Sequence, residues 1–141
     1  MRLSVHTDYA LRTLMFLAAN EGKHSIAAIS AQYDISKNHM MKITQRLVAE
    51  GLVKSIRGRN GGLVLNQPAD KIFVGHVVRS LENTGSFVGC FDAARGGCIV
   101  SPVCGLKHVL VDAIESFLQH LDGYTIADVI GDKDRFSSVW Q

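Results

Sequence analysis

No apolar run in these 141 residues approaches the length of a bilayer span, so no membrane partner is expected. The short apolar stretch Leu14 to Ala19 follows Asp8 and Arg12 and stops at Asn20-Glu21-Gly22. That pattern argues against a secretory leader and for a cytoplasmic location. A phosphate loop, a serine elbow and an H-E-x-x-H zinc helix are all missing, and the six histidines are scattered. No catalytic constellation forms, so an enzyme is not expected. The glycine-rich turn at 58–62 is followed by strand-forming residues, not by the helix that phosphate cradling requires. Internal repeats and low-complexity segments are absent. With 47% hydrophobic and 20% charged residues, the composition excludes wholesale disorder and allows one domain with a real core.

Acidic residues are scarce in one place. Between Ser36 and Asn66, the cations Lys37, Lys42, Arg46, Lys54, Arg57 and Arg59 meet the single acid Glu50, a local balance of +5. The whole chain carries +2, so the remainder carries −3. Such asymmetry marks an anionic partner, most often nucleic acid, against the plainer alternative of a solvated basic face.

The basic stretch lies on recognisable local structure. Thr7 is positioned to cap a first helix, with Asp8 in its first turn facing the positive dipole end. Leu11, Leu14, Met15, Leu17 and Ala18 follow at helical spacing. Ser25 opens a short helix through Tyr33, and Asp34-Ile35 makes a tight turn. Ser36 then caps a helix that ends at Gly51 and carries Lys37, Asn38, His39, Lys42, Gln45 and Arg46 on its polar side. Leu52–Ile56 reads as a strand, Arg57–Gly62 as a turn and Leu63–Leu65 as the returning strand. Helix-turn-helix followed by a basic-tipped hairpin is a winged helix. Val74 to Glu82 predicts a further helix, with Val77, Val78 and Leu81 on one face.

The only three cysteines, Cys90, Cys98 and Cys104, share one loop with the spacing C-x7-C-x5-C. Gly89, Gly96, Gly97 and Gly105 surround them, and Pro102 stiffens the last bend. An odd count without secretory context argues against a disulfide. Three soft thiolates suit a transition metal or an iron–sulfur cluster, with inert thiols as the plain alternative. The spacing is not the C-x2-C of structural zinc sites, so a zinc-binding structural or enzymatic protein is a distant alternative. Candidates for a fourth ligand are Asp8, His108, His6 or a group from another chain. After Cys104 a long amphipathic helix carries Leu106, Val109, Leu110, Ala113, Ile114, Phe117, Leu118 and Leu121 along one side. That stripe is too rich for one small winged helix to cover and reads as a dimer helix, with packing inside the chain as the alternative. Thr125 caps a last short helix, Ile126 to Ile130, and the tail to Trp140 is unassigned.

With these pieces placed, the chain resembles the IscR/NsrR/RirA family of bacterial iron–sulfur transcription regulators. The likeness runs from Met1 to about Ile130. It rests on T-D-Y-A-L-R at 7–12, S-K-N-H-M-M-K-I at 36–43, R-G-R-N-G-G at 57–62, the three cysteines, C-G-L-K at 104–107 and D-G-Y-T-I-A-D at 122–128. The stretches at 38–40 and 124–128 look most like the nitric-oxide-sensing NsrR branch.

The resemblance implies a cluster, 4Fe–4S or 2Fe–2S, held by Cys90, Cys98 and Cys104 and completed by Asp8 of the partner subunit. Asp8 then has a role beyond dipole compensation. The cysteine spacing looks more like the iron-responsive RirA branch, so the implied signal is nitric oxide or iron status. The IscR branch places a histidine three residues after the last cysteine. Here that residue is Lys107, and His108 lies about 100° further round the helix.

The expected protein is mainly α with a small β-hairpin wing: a winged helix-turn-helix domain plus a long dimerisation helix. The expected division is 1–83 for DNA binding, 84–105 for the cluster loop and 106–141 for dimerisation and the tail. Ser36, Lys37, Asn38, His39, Lys42, Arg57 and Arg59 are the expected contacts to double-stranded operator DNA. Leu110, Ile114, Phe117 and Leu121 are the expected homodimer seam.

Overall fold

A computed structural model describes residues 3–83 and 98–140 of the chain. Helix α1 (Val5–Ala19) begins one turn earlier than expected. Ser4, in extended conformation, caps it, and the Ser4 hydroxyl accepts the Thr7 N–H at 3.2 Å. Thr7 is fully buried inside the first turn, and Asp8 remains in that turn. Ser25 caps α2 (Ile26–Tyr33) by accepting the Ala28 N–H, and Asp34 follows in the left-handed conformation at φ 51°. Asp tolerates that conformation better than most residues, and it turns the chain into α3 (Lys37–Ala49).

The hairpin pairs β1 (Val53–Ile56) with β2 (Gly62–Leu65) in antiparallel register, Val53 opposite Leu65 and Ile56 opposite Gly62. A pairing the sequence did not signal widens its base. His24, in the link between α1 and α2, exchanges two backbone hydrogen bonds with Leu63. Gly62 is needed there, because a Cβ would press on the His24 backbone at 3.1 Å.

A 3-10 turn at Ala69–Lys71 leads into α4 (Val74–Leu81). Another at Ser101–Val103 precedes α5 (Gly105–Asp122), which is followed by α6 (Ile126–Ile130). The unassigned tail is ordered as α7 (Lys133–Ser137) and a 3-10 turn, Ser138–Trp140.

Helical spacing puts Leu14 of α1, Ile29 of α2, and Met40, Ile43 and Leu47 of α3 into one core with Val77 and Val78 of α4. Leu118 of α5 and Ile126 of α6 join the same cluster, so part of segment 106–141 shares the core of segment 1–83. Polar ties fix that return. The Arg79 guanidinium donates to both Asp122 carboxylate oxygens, one at 2.7 Å, and also meets Glu115 at 3.2 Å. Gly75 gives α4 its close approach, since a side chain there would collide with Asp122. The backbones of Ile72–Val74 and Tyr124–Ile126 bond to each other, with Ile126 N–H to Ile72 C=O at 2.8 Å. Thr125 caps α6 in a reciprocal box with Asp128, whose carboxyl is held below its usual range by the Thr125 hydroxyl and N–H.

Ile126 therefore tests whether the C-terminal helices belong to the common core. Ile126→Ala is expected to cost about 2–5 kcal/mol and to shift one cooperative unfolding transition. Urea titration followed by circular dichroism would check this, and an unchanged main transition beside a separate early one would contradict it.

Candidate functional site

The polar face of α3 is solvent-exposed along its length. Ser36 spends its hydroxyl on the cap, accepting the His39 N–H at 3.3 Å, while Lys37, Asn38, His39 and Lys42 all project from the body. Met40, Ile43, Thr44 and Leu47 form the opposite, buried face, so the core fixes which side α3 presents. His39 is braced from beneath. Its ring meets Tyr9 edge-on at 5.8 Å and His6 at 6.3 Å, both from α1. This brace spans some thirty residues of sequence and has no local signal.

At the wing tip Arg57 and Arg59 are exposed. Gly58 has φ 116°, and the Gly61 N–H closes the turn onto the Gly58 carbonyl at 2.9 Å. Among the described residues, Lys37, Lys42, Lys54, Arg57 and Arg59 make no ion pair, whereas Arg46 is committed. It pairs with Glu50 at 2.8 Å and donates to the Ser80 carbonyl at 2.8 Å, tying α3 to α4. Five uncommitted cations thus lie on α3 and the hairpin, the two elements a winged helix applies to DNA.

Of the cysteine set, Cys90 lies outside the described residues. Cys98 is an exposed free thiol, and Cys104 is a half-buried free thiol at the N-cap of α5. The cap position carries no side-chain hydrogen bond, so the first amides of α5 direct their positive end toward Cys104 unscreened by a capping oxygen. A helix end of this kind attracts anionic groups. His108 is exposed one turn further along α5.

Asp8 is half-buried and bound to Arg12, with one carboxylate oxygen at 3.0 Å and the other at 3.2 Å. The i, i+4 spacing of an acid and an arginine could have signalled this pair. Glu82, the residue that ends α4 just before the cysteine segment, accepts the Ser4 N–H at 2.7 Å. The start of α1 is therefore pinned to the end of α4. Within one chain the described residues gather no group of three metal-ligating side chains. A soft thiol at a helix N-terminus, with a second exposed thiol nearby in sequence, nevertheless suits a cluster whose remaining ligands lie elsewhere.

The expected seam divides. Ile114, Phe117 and Leu121 are half-buried against their own core, and Leu110 is half-buried on α5. The large apolar residues that α5 leaves exposed are Leu106, Val109 and Val111, and Ile99, Val100 and Val103 of the preceding segment are exposed too.

Comparison with known proteins extends this picture. The family profile for Rrf2, described as an iron-dependent transcriptional regulator, matches residues 3–132. The chain is 48% identical over 136 residues to the HTH-type transcriptional regulator NsrR of Bacillus subtilis, covering 95% of this chain and 93% of that one. Among solved structures it resembles T. potens IscR, with a TM-score of 0.71 and 28% identity over 94% of this chain and 88% of the other. It also resembles CymR, the global cysteine regulator of B. subtilis, with a TM-score of 0.72 and 27% identity over 92% and 95% of the two chains.

The wing turn has a sharp steric test. A Cβ at Gly61 would collide with the Ile56 carbonyl oxygen and lie 2.9 Å from that of Gly58. Gly61→Ala is expected to open the turn, shifting amide NMR signals of 56–62 while leaving the core signals of α1 and α4 in place. Unshifted wing signals would contradict the turn geometry.

Proposed function

The chain belongs to the Rrf2 family of transcriptional regulators, and from that premise we propose a homodimeric, iron–sulfur-dependent repressor that senses nitric oxide and releases operator DNA in response. The observation that carries the reading is the free Cys104 thiol at the uncapped N-terminus of α5, a helix whose neighbouring turns expose Leu106, Val109 and Val111. One end of that helix suits an anionic cluster, and its flank suits a second copy of the chain.

In this reading Cys90, Cys98 and Cys104 hold the cluster, 4Fe–4S or 2Fe–2S, and Asp8 of the partner subunit completes it. When bound, such a group supplies an iron with a hard, poorly matched carboxylate ligand, the point most open to nitric oxide. Asp8 is paired with Arg12 in the single chain and would have to leave that pair to serve as such a ligand. Asp8 shares α1 with Tyr9 and His6, which brace His39, so a shift of this helix end reaches α3 directly. Two reading heads bind a two-fold site only when their spacing matches it, so a small displacement is enough to weaken binding. Lys37, Asn38, His39 and Lys42 face the major groove, Ser36 caps their helix at the DNA surface, and Arg57 and Arg59 follow the minor groove. In the seam, Leu110, Ile114, Phe117 and Leu121 contribute what their own core leaves uncovered, extended by Leu106 and Val109.

Anaerobic purification followed by absorption spectroscopy, iron and sulfide assay, sedimentation and duplex-DNA binding tests this reading. A brown dimer that binds DNA and releases it on addition of nitric oxide without air is the expected result, and Cys104→Ala should yield a colourless protein without that control. Stoichiometric zinc without sulfide would overturn the cluster. A cluster indifferent to nitric oxide but lost to iron chelators would make iron status the signal, in line with the C-x7-C-x5-C spacing.

The DNA contacts have their own check. Arg59→Ala is expected to weaken specific binding by about 1–3 kcal/mol in an anisotropy titration. Full retained affinity would remove Arg59 from the interface.

A further inference from the structure

We infer that residues 131–140 form a strap that ties the helix-turn-helix to the C-terminal helices, with Trp140 as its anchor and a positioning residue for DNA reading. The inference rests on α3 being the helix that reads DNA. The strap begins where α6 is already fixed to the body by the backbone bonds of Tyr124 and Ile126. Gly131, at φ 57°, redirects the chain, and Lys133 pairs with Glu21 at 3.0 Å beyond the end of α1. The 3-10 turn then delivers Trp140 into an aromatic group. Its ring meets Phe16 of α1 at 5.2 Å, Tyr33 of α2 at 5.8 Å and Phe136 of α7 at 5.2 Å, all edge-on.

The place where the anchor lands is what gives it consequence. Tyr33 is the last residue of α2, and the next residue, Asp34, makes the left-handed turn that aims α3. The Tyr33 hydroxyl donates to the Arg12 carbonyl at 3.0 Å, so Tyr33 is held by α1 at its tip and by Trp140 at its ring. Burial pushes its pKa up to about 12, Arg12 acting in the opposite sense. The folded chain therefore keeps the phenol proton more tightly than the unfolded one. The stability this gives is complete below about pH 10 and is lost as pH rises toward 12. Without Trp140 the ring of Tyr33 would lose one wall, keeping Phe16 edge-on at 6.3 Å and the hydroxyl bond to Arg12. The strap's α7 and Trp140 lie past residue 132, where the family match ends.

The test uses the full chain, purified anaerobically. Trp140 is the sole tryptophan, so all tryptophan emission reports the anchor. A docked ring gives blue-shifted emission protected from acrylamide; water-like emission with unhindered quenching would overturn the strap. Near-ultraviolet titration of Trp140→Ala should move one tyrosine from about 12 toward its ordinary value near 10, whereas Trp140→Phe should leave it high. The binding probe is a labelled duplex that the wild type enriches from a random pool. Trp140→Ala should weaken binding about tenfold and Trp140→Phe about twofold or less, the scale of lost aromatic pairs. Unchanged affinity in Trp140→Ala, or equal loss in both variants, would overturn the positioning role. If the wild type enriches no duplex, the DNA-binding reading fails and the positioning role with it. Emission and titration would still decide whether the strap is docked.

Discussion

Burial of α1 from several sides is the constraint on which the other elements depend. One helix of ordinary length packs against α3, α4, α6, α7 and β2. Leu14, Phe16, Leu17 and Ala19 are buried to within a few per cent, as are Thr7 and Thr13. The buried threonines are satisfied inside the chain: the Thr13 hydroxyl donates to the Tyr9 carbonyl at 2.8 Å, and the Thr7 oxygen accepts from Ser4. A helix enclosed in this way cannot turn about its axis without opening close-packed contacts on several faces. Its N-terminal turns carry His6, Asp8 and Tyr9 in partly exposed positions. There α1 meets His39 on one side and Glu82 on the other.

Helix α5 shows the opposite distribution. Its C-terminal half is fixed by Leu118 in the core, by the Arg79–Asp122 ion pair and by the close approach at Gly75. Its N-terminal half leaves Leu106, Val109 and Val111 about half exposed, forgoing part of the roughly 1.5–3 kcal/mol that full burial of each side chain would give. In the proposed dimer the second copy supplies the missing cover. The two ends of α5 then serve different purposes. One belongs to the subunit core, and the other joins the thiol of Cys104 to a surface that is complete only on association.

The fold was legible in the sequence wherever local chemistry decides. Ser25, Ser36 and Thr125 cap the helices expected of them, and the Arg57–Gly62 turn reverses the strands as read. The choice of Ser4 over Thr7 was not legible, because both are capping residues at helix-start spacing and only the Ser4–Thr7 hydrogen bond separates them. The stripe of α5 was visible as a stripe. Periodicity reports a face and not its neighbour, so Ile114, Phe117 and Leu121 were assigned to a second copy although their own core covers part of each. The tail resisted for a related reason: two short turns have little intrinsic stability, and contacts distant in sequence order them through Trp140. The cysteines were legible as a soft donor set. The role proposed for Asp8 came from resemblance, since a ligand supplied across a dimer would leave no spacing to read.

Charge was the most direct functional signal, and ion pairing sharpens it. Arg46 and Arg79 are engaged with acids of their own chain, and so is Lys133 with Glu21. The cations of the wing and of the outer face of α3 are not engaged among the described residues. A cation already paired inside the protein must break that pair to bind a phosphate, and little is gained in the exchange. An uncommitted, exposed cation gives up only part of its hydration and displaces a condensed counterion from the duplex, which makes binding favourable at low salt and weaker as salt rises. With Arg46 and Glu50 cancelling each other, the five uncommitted cations account for the whole local balance of +5. Several acids of the remainder are neutralised by nearby arginine or lysine, while nearly all the excess positive charge lies on two elements whose orientation α1 controls.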